Sequence, residues 1–137
     1  MESPASNYLW QGKVILVGED ELINFRLLQV MLAKTGVTLI HAKTGIEVLD
    51  LLNNSPKIDL ILLDIKMPGM DGIEVTIEIR KKQIHLPIII QTAFTMEEER
   101  LKSLHAGCNA FLTKPIKQTE LLLILDPFLI TDDGRRI

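Results

Sequence analysis

Four groups of polar residues, far apart in the chain, each stand where a short apolar run gives way to a loop: the acids Glu19-Asp20-Glu21, then Asp64, Thr92 and Lys114. Brought together, they would make a cluster of carboxylates with one hydroxyl and one ammonium. Clustered carboxylates repel and raise one another's pKa unless a cation joins them. Oxygen ligands of that charge suit Mg²⁺, a hard ion that keeps waters and shares its coordination sphere with phosphate. A lysine beside such a centre balances transferred negative charge. Taken singly, each residue has a plainer reading, since Asp is common at strand ends, where it bonds its own backbone. The chemistry requires all of them at one place.

The elements that must position them follow from hydrophobic periodicity. Leu60 to Leu63 is a continuous apolar block, the pattern of a central strand covered on both faces, and the loop after it, Met67-Pro68-Gly69-Met70-Asp71-Gly72, is built from turn residues. Lys13 to Gly18, Val37 to Ala42, Leu86 to Gln91 and Ala110 to Thr113 read as the other strands. Between them, Glu21 to Lys34 predicts a helix with a broad apolar face that stops at Gly36, and Gly45 to Asn53 predicts a second, broken by Asn53-Asn54-Ser55-Pro56. Residues 73–79 alternate apolar and polar as a strand would. The acidic start at Asp71-Gly72 and the basic finish at Arg80-Lys81-Lys82 nevertheless favour a helix, against the β-branched residues that weaken it. Thr95 and Glu98 fit a capping box for a fourth helix that Gly107 closes, and Lys117 to Asp126 predicts a fifth, kinked or ended by Pro127. Strand and helix alternate about five times, so the chain reads as an α/β parallel sheet with helices on both faces. Residues 1–12 read as a linker or expression remnant that packs loosely, 13–130 as the domain and 131–137 as a polar tail. In a parallel sheet the strand C-termini share one edge, where ligands bind.

Composition bounds the function. The 137 residues suffice for one domain with a core. With 47% hydrophobic and 24% charged residues the chain is globular, and its net charge of -3 leaves no basic footprint for nucleic acid. No run is apolar over the length a bilayer needs, and the first residues lack a signal-peptide pattern, so the chain reads as cytosolic or as the cytosolic part of something larger. Cys108 is the single cysteine, with a quiet packed thiol as its default, and His41, His85 and His105 match no ligand or triad spacing.

Four motifs now fall in order on the expected elements: VILVGED (14–20), LLDIKMPGMDG (62–72), IIIQTAF (88–94) and AGCNAFLTKPI (106–116). From about Lys13 to Asp126 they resemble the receiver domain of two-component response regulators. The resemblance implies a flavodoxin-like (βα)5 sheet of strand order 2-1-3-4-5. It implies that Asp64 accepts a phosphoryl group from a phosphohistidine, and that Glu19, Asp20, Asp64 and the backbone carbonyl of Lys66 hold Mg²⁺. Many members carry Asp where Glu19 stands, and the extra methylene favours a water-bridged contact. Lys114 resembles the lysine that pairs with a phosphoryl oxygen, Thr92 the hydroxyl that moves to bond another, and Phe111 the aromatic that swings inward with it. Phe111 also has a plain reading as a core aromatic. A cis bond at Lys114-Pro115 is implied too. A bulky Phe94 and a long Lys66 near the acceptor suggest a long-lived phosphoryl state. The family implies a signalling domain that assists its own phosphorylation and dephosphorylation, not an enzyme proper. Its expected partners are a histidine kinase or a histidine phosphotransfer domain docked on the helix after Asp20. A receiver homodimer would use the last strand and last two helices.

Two other readings compete. A degenerate receiver that only binds proteins is disfavoured by the intact Glu19, Asp20, Asp64, Thr92 and Lys114. A Mg²⁺-dependent phosphatase of the haloacid dehalogenase type also uses an Asp nucleophile, but needs a second Asp where this chain has Lys66. The Tyr8-Leu9-Trp10 entry and the stretch that follows resemble receivers at the C-terminus of hybrid sensor histidine kinases; a free-standing receiver is the other parent.

Overall fold

The computed structural model describes residues 4–54, 57–93 and 97–130. Five strands, β1 (Val14–Gly18), β2 (Thr38–Ala42), β3 (Leu60–Asp64), β4 (Ile88–Thr92) and β5 (Ala110–Thr113), alternate with five helices, α1 (Leu22–Leu32), α2 (Gly45–Asn54), α3 (Gly72–Lys81), α4 (Glu97–Ala106) and α5 (Gln118–Leu129). The strands pair in parallel in the order β2-β1-β3-β4-β5, the flavodoxin-like arrangement expected. Every residue of β3 and β4 is buried, as continuous apolar runs in a doubly covered sheet must be.

Because strand side chains alternate between faces, the sheet divides its apolar residues into two cores. Ile15, Val17, Leu60, Leu62, Ile89 and Leu112 meet α1 and α5 on one side. Leu16, Ile61, Leu63, Ile88 and Ile90 meet Val48 of α2 and Val75 and Ile79 of α3 on the other. The helix reading of 72–81 holds, for a physical reason. Asp71 accepts from the Glu74 N–H at 2.8 Å while the Glu74 carboxylate accepts from the Asp71 N–H at 3.3 Å. That reciprocal cap fixes the first turn, and the helix then buries Val75 and Ile79, four apart, leaving Ile77 outside.

Three expectations change. Residues 4–12 are not a loosely packed linker: Pro4–Asn7 forms a 3₁₀ turn, and Ala5 and Trp10 are buried in the α1/α5 core. Trp10 Nε1 donates to Asp126 Oδ1 at 3.0 Å, and the Trp10 N–H donates to the Thr35 carbonyl at 2.8 Å. Second, the buried face of α1 is narrow. Phe25, Leu28 and Leu32 form the inward stripe, while Leu22, Ile23, Leu27 and Val30 are exposed, because a helix lying on one sheet covers only one side of itself. Third, Pro127 does not end α5, which continues to Leu129. The carbonyl that loses its helical partner there belongs to Leu123, which is exposed and can bond water, while buried Leu125 and Leu129 hold the helix to the sheet on both sides of the proline. The expected N-cap Thr95 lies outside the described residues.

Candidate active site at the strand C-termini

The first acidic turn follows from the end of β1. The Glu19 N–H donates to the Ala42 carbonyl at 2.9 Å, extending the β1–β2 pairing by one residue, and the Glu21 N–H then folds back onto Glu19 Oε2 at 3.2 Å. The turn aims the Glu19 side chain inward, fully buried, and leaves Asp20 exposed. Asp64, the last residue of β3, is buried as well. One carboxylate oxygen from each of Glu19, Asp20 and Asp64 lies within 4.8 Å of the other two.

The loop after β3 needs Gly72 to close. Its N–H donates to the Ile65 carbonyl at 2.8 Å, and a Cβ there would overlap the Asp64 carbonyl oxygen and stand 3.1 Å from Ile65 Cα. Only glycine permits that approach. The Asp64 carboxylate is held at both oxygens: the Lys66 N–H donates to Oδ1 at 3.2 Å, and the Lys114 ammonium donates to Oδ2. Lys114 also lies 3.6 Å from Glu19 Oε1. It follows β5 and precedes Pro115 through a cis peptide bond.

Electrostatics match this crowding. The Glu19 carboxyl titrates above its ordinary range, chiefly through burial and next through the Asp64 charge; the Glu21 N–H and Lys114 pull the other way. For Lys114, burial works to lower the ammonium pKa. The hydrogen bond and charge of Asp64, joined by Glu19, outweigh burial and leave it raised. Glu19 Oε1 is buried without a hydrogen-bond partner. A buried anionic oxygen with no hydrogen bond, in a trio of carboxylates, is the donor chemistry a hard divalent cation takes. The residues therefore fit Mg²⁺.

A cavity of about 300 Å³ opens at the cluster, lined by Asp20, Asn24, Asp64, Lys66, Thr92 and Lys114 among others. The fold thus gathers Glu19, Asp20, Asp64, Thr92 and Lys114 at one edge, with Lys66 beside them. Phe111 does not line the cavity. It is half-buried on β5, packed against the α2/α3 core, with the Arg100 guanidinium carbon 5.3 Å from its ring centroid. Ile90 is its register partner on β4, so Phe111 and Thr92 share a sheet face. Phe94 lies outside the described residues. Cys108 is buried, which pushes its thiol up to about 11.

His41 matches no ligand or triad spacing, yet its Nε2 lies 2.7 Å from the Glu19 carbonyl and its ring stacks on Phe25, centroids 4.0 Å apart and planes 5° from parallel. The pairing of Val17 with His41 that brings it there leaves no local trace in the sequence.

Comparison with known proteins agrees with this geometry. The profile of the response regulator receiver domain matches residues 15–126. Histidine protein kinase 1 of Candida albicans is 39% identical over an alignment of 122 residues that covers 81% of this chain and 5% of that kinase's length. The chain thus spans a small part of that relative. The polar-differentiation response regulator DivK of Brucella ovis is 33% identical over 121 residues, 85% of this chain and 96% of DivK. Among solved structures, the receiver domain of the Francisella response regulator 1452 superposes with a TM-score of 0.80 at 29% identity, covering 86% of this chain and 97% of that one. The receiver domain of a signal transduction histidine kinase from Syntrophus aciditrophicus gives 0.79 at 28% identity, covering 86% and 90%. With the profile spanning most of the chain and the acids gathered at the expected edge, the protein belongs to the response regulator receiver family of two-component signalling.

Proposed function

We propose that this receiver is an active phosphoacceptor in a phosphorelay, with Asp64 taking a phosphoryl group from a phosphohistidine. One observation carries the reading: three carboxylates converge within 4.8 Å while Lys114 is bonded to Asp64. In the transfer, an Asp64 oxygen forms the new O–P bond as the P–N bond to the donor histidine breaks. The bonding pair returns to the imidazole, which takes a proton from solvent. Lys66 N–H on Oδ1 and Lys114 on Oδ2 fix the carboxylate's orientation before the donor arrives. Lys114 then pairs with a phosphoryl oxygen, and the Thr92 hydroxyl bonds another. Glu19, Asp20, Asp64 and the Lys66 carbonyl would hold Mg²⁺, which supplies neutralisation of phosphoryl charge when bound.

Thr92 and Phe111, on one sheet face, form the element that phosphorylation biases. Lys66, exposed beside the acceptor, together with Phe94 shields the acyl phosphate and lengthens its life. The donor, a histidine kinase or a histidine phosphotransfer domain, docks on the exposed Leu22, Ile23, Leu27 and Val30 of α1, next to the cavity. Leu101, Leu104 and Leu123, exposed on α4 and α5, offer the face for a receiver homodimer. The parent is a hybrid kinase or a stand-alone regulator. Among the described residues no helix is long and apolar enough to cross a membrane.

Intact mass after incubation with a small phosphodonor and Mg²⁺, and separately with a phosphohistidine protein, tests the reading. One phosphoryl group is expected, absent in Asp64→Asn and without metal. A folded, Mg²⁺-binding chain that takes no phosphoryl group from either donor would be a binding module instead.

A further inference from the structure

Behind the acidic turn lies a contact that the transfer chemistry does not use. The Glu19 carbonyl can only accept, so the His41 Nε2 at 2.7 Å from it carries the hydrogen. The ring that donates is itself held, stacked face to face on Phe25, which is buried in α1. Three elements meet there: the end of β1, the edge strand β2 and the first half of α1.

The bonded peptide unit is the one that joins Glu19 to Asp20. A peptide unit is planar and includes both flanking α carbons. A change in ψ of Glu19 would move this oxygen and turn Asp20 relative to the Glu19 side chain, changing the separation of the two carboxylates. Its nitrogen belongs to Asp20, and its oxygen is the one His41 fixes. The preceding N–H, that of Glu19, is already fixed on Ala42. The turn is therefore clamped on both sides of Glu19 Cα, with the buried Oε1 beside Lys114 and making no hydrogen bond.

We infer that His41, braced by Phe25, is a positioning residue that sets the mutual orientation of the Glu19 and Asp20 carboxylates for divalent-cation binding. This rests on the reading of those acids as the Mg²⁺ site. The donor is a side chain on a neighbouring strand, so the clamp depends on residue type at position 41 and not on strand pairing, which any residue there would keep.

The test compares Mg²⁺ affinity, by isothermal titration calorimetry, with melting temperature in the full chain. His41→Phe keeps a ring for the stack and removes the donor; His41→Gln keeps a donor and removes the ring. Ile40→Val, in the same strand on the opposite face, controls for stability lost without any effect on the turn. Loss of the positioning that one hydrogen bond supplies sets the limit of the effect: up to about five-fold weaker Mg²⁺ binding for His41→Phe, partial rescue in His41→Gln, and wild-type affinity in Ile40→Val at a lowered melting temperature. Wild-type affinity in His41→Phe overturns the inference. So does weakening that tracks melting temperature across all three variants. A wild-type chain that takes up no Mg²⁺ overturns the metal-site reading itself, and that result is distinct because it appears before any substitution.

Discussion

Replacing Glu19 by Gln should make the metal-free protein more stable, although it removes one partner of Lys114. The Glu19 and Asp64 carboxylates lie no more than 4.8 Å apart, which at an effective dielectric near 20 is about 3.5 kcal/mol of repulsion. The Lys114 ammonium, 3.6 Å from Glu19 Oε1, returns about 4.6 kcal/mol of attraction by the same rule. Lys114 is partly exposed and its share is screened, so the two nearly cancel and burial decides the sign. A buried oxygen that makes no hydrogen bond costs about 1–3 kcal/mol. Glutamine retains a carbonyl for the Glu21 N–H and puts an uncharged amide where Oε1 stands, which removes the cost of burying an anionic oxygen there. We expect a gain of about 1–2 kcal/mol, or roughly 3–8 °C in melting temperature for a domain of this size. Trp10, the single tryptophan and fully packed, reports the transition by fluorescence in the presence of a chelator. The pH dependence has a definite sign. The folded Glu19 pKa is raised above its ordinary 4.5, so between the unfolded and folded values the native state binds more protons than the unfolded one. Stability then falls as pH rises through that window, and the advantage of Glu19→Gln over wild type grows with it. Added Mg²⁺ should close the gap, since at about ten times its Kd it stabilises wild type by about 1.4 kcal/mol and the variant by less. A variant that melts at or below wild type in chelator would refute the reasoning.

Other perturbations read other parts of the fold. Gly72→Ala forces a methyl group onto the Asp64 carbonyl; a loss of about 1–3 kcal/mol is expected, with slower phosphorylation measured by intact mass because Asp64 itself is displaced. Trp10→Phe leaves the buried Asp126 carboxylate without the indole donor, and urea denaturation followed by circular dichroism should show a loss of about 2–3 kcal/mol with phosphorylation unchanged at the distant edge.

The central strands and the acidic edge were legible because each acid follows a continuous apolar run, and a parallel sheet places all run ends on one side. The helix at 72–81 was legible only from its ends. Its interior alternates like a strand, and the Asp71–Glu74 cap decided the matter. What the sequence concealed were contacts across long separations. Trp10 finds Asp126 at a separation of 116 residues, and His41 reaches Glu19 only because β2 pairs with β1 in one register. The width of the α1 face was misread for a related reason: apolar residues all round a helix do not say which of them the sheet will cover.

The layer formed by α4 is held differently from the others. Among its described residues only Ser103 and Ala106 are buried, both in its second half and both small. That end is pinned. The Arg80 guanidinium donates to the Gly107 carbonyl at 3.0 Å, to the Ile84 carbonyl at 2.7 Å and to Asn109 Oδ1 at 3.0 Å, tying the turn after α4 to the end of α3. So little apolar area under the first turns makes α4 the cheapest helix to displace. With one end fastened, its easiest motion is a swing about the Gly107 end. The chain joins α4 to Thr92 on one side and to Phe111 on the other. A change of a few ångströms at the cavity therefore meets a lever already hinged at its far end.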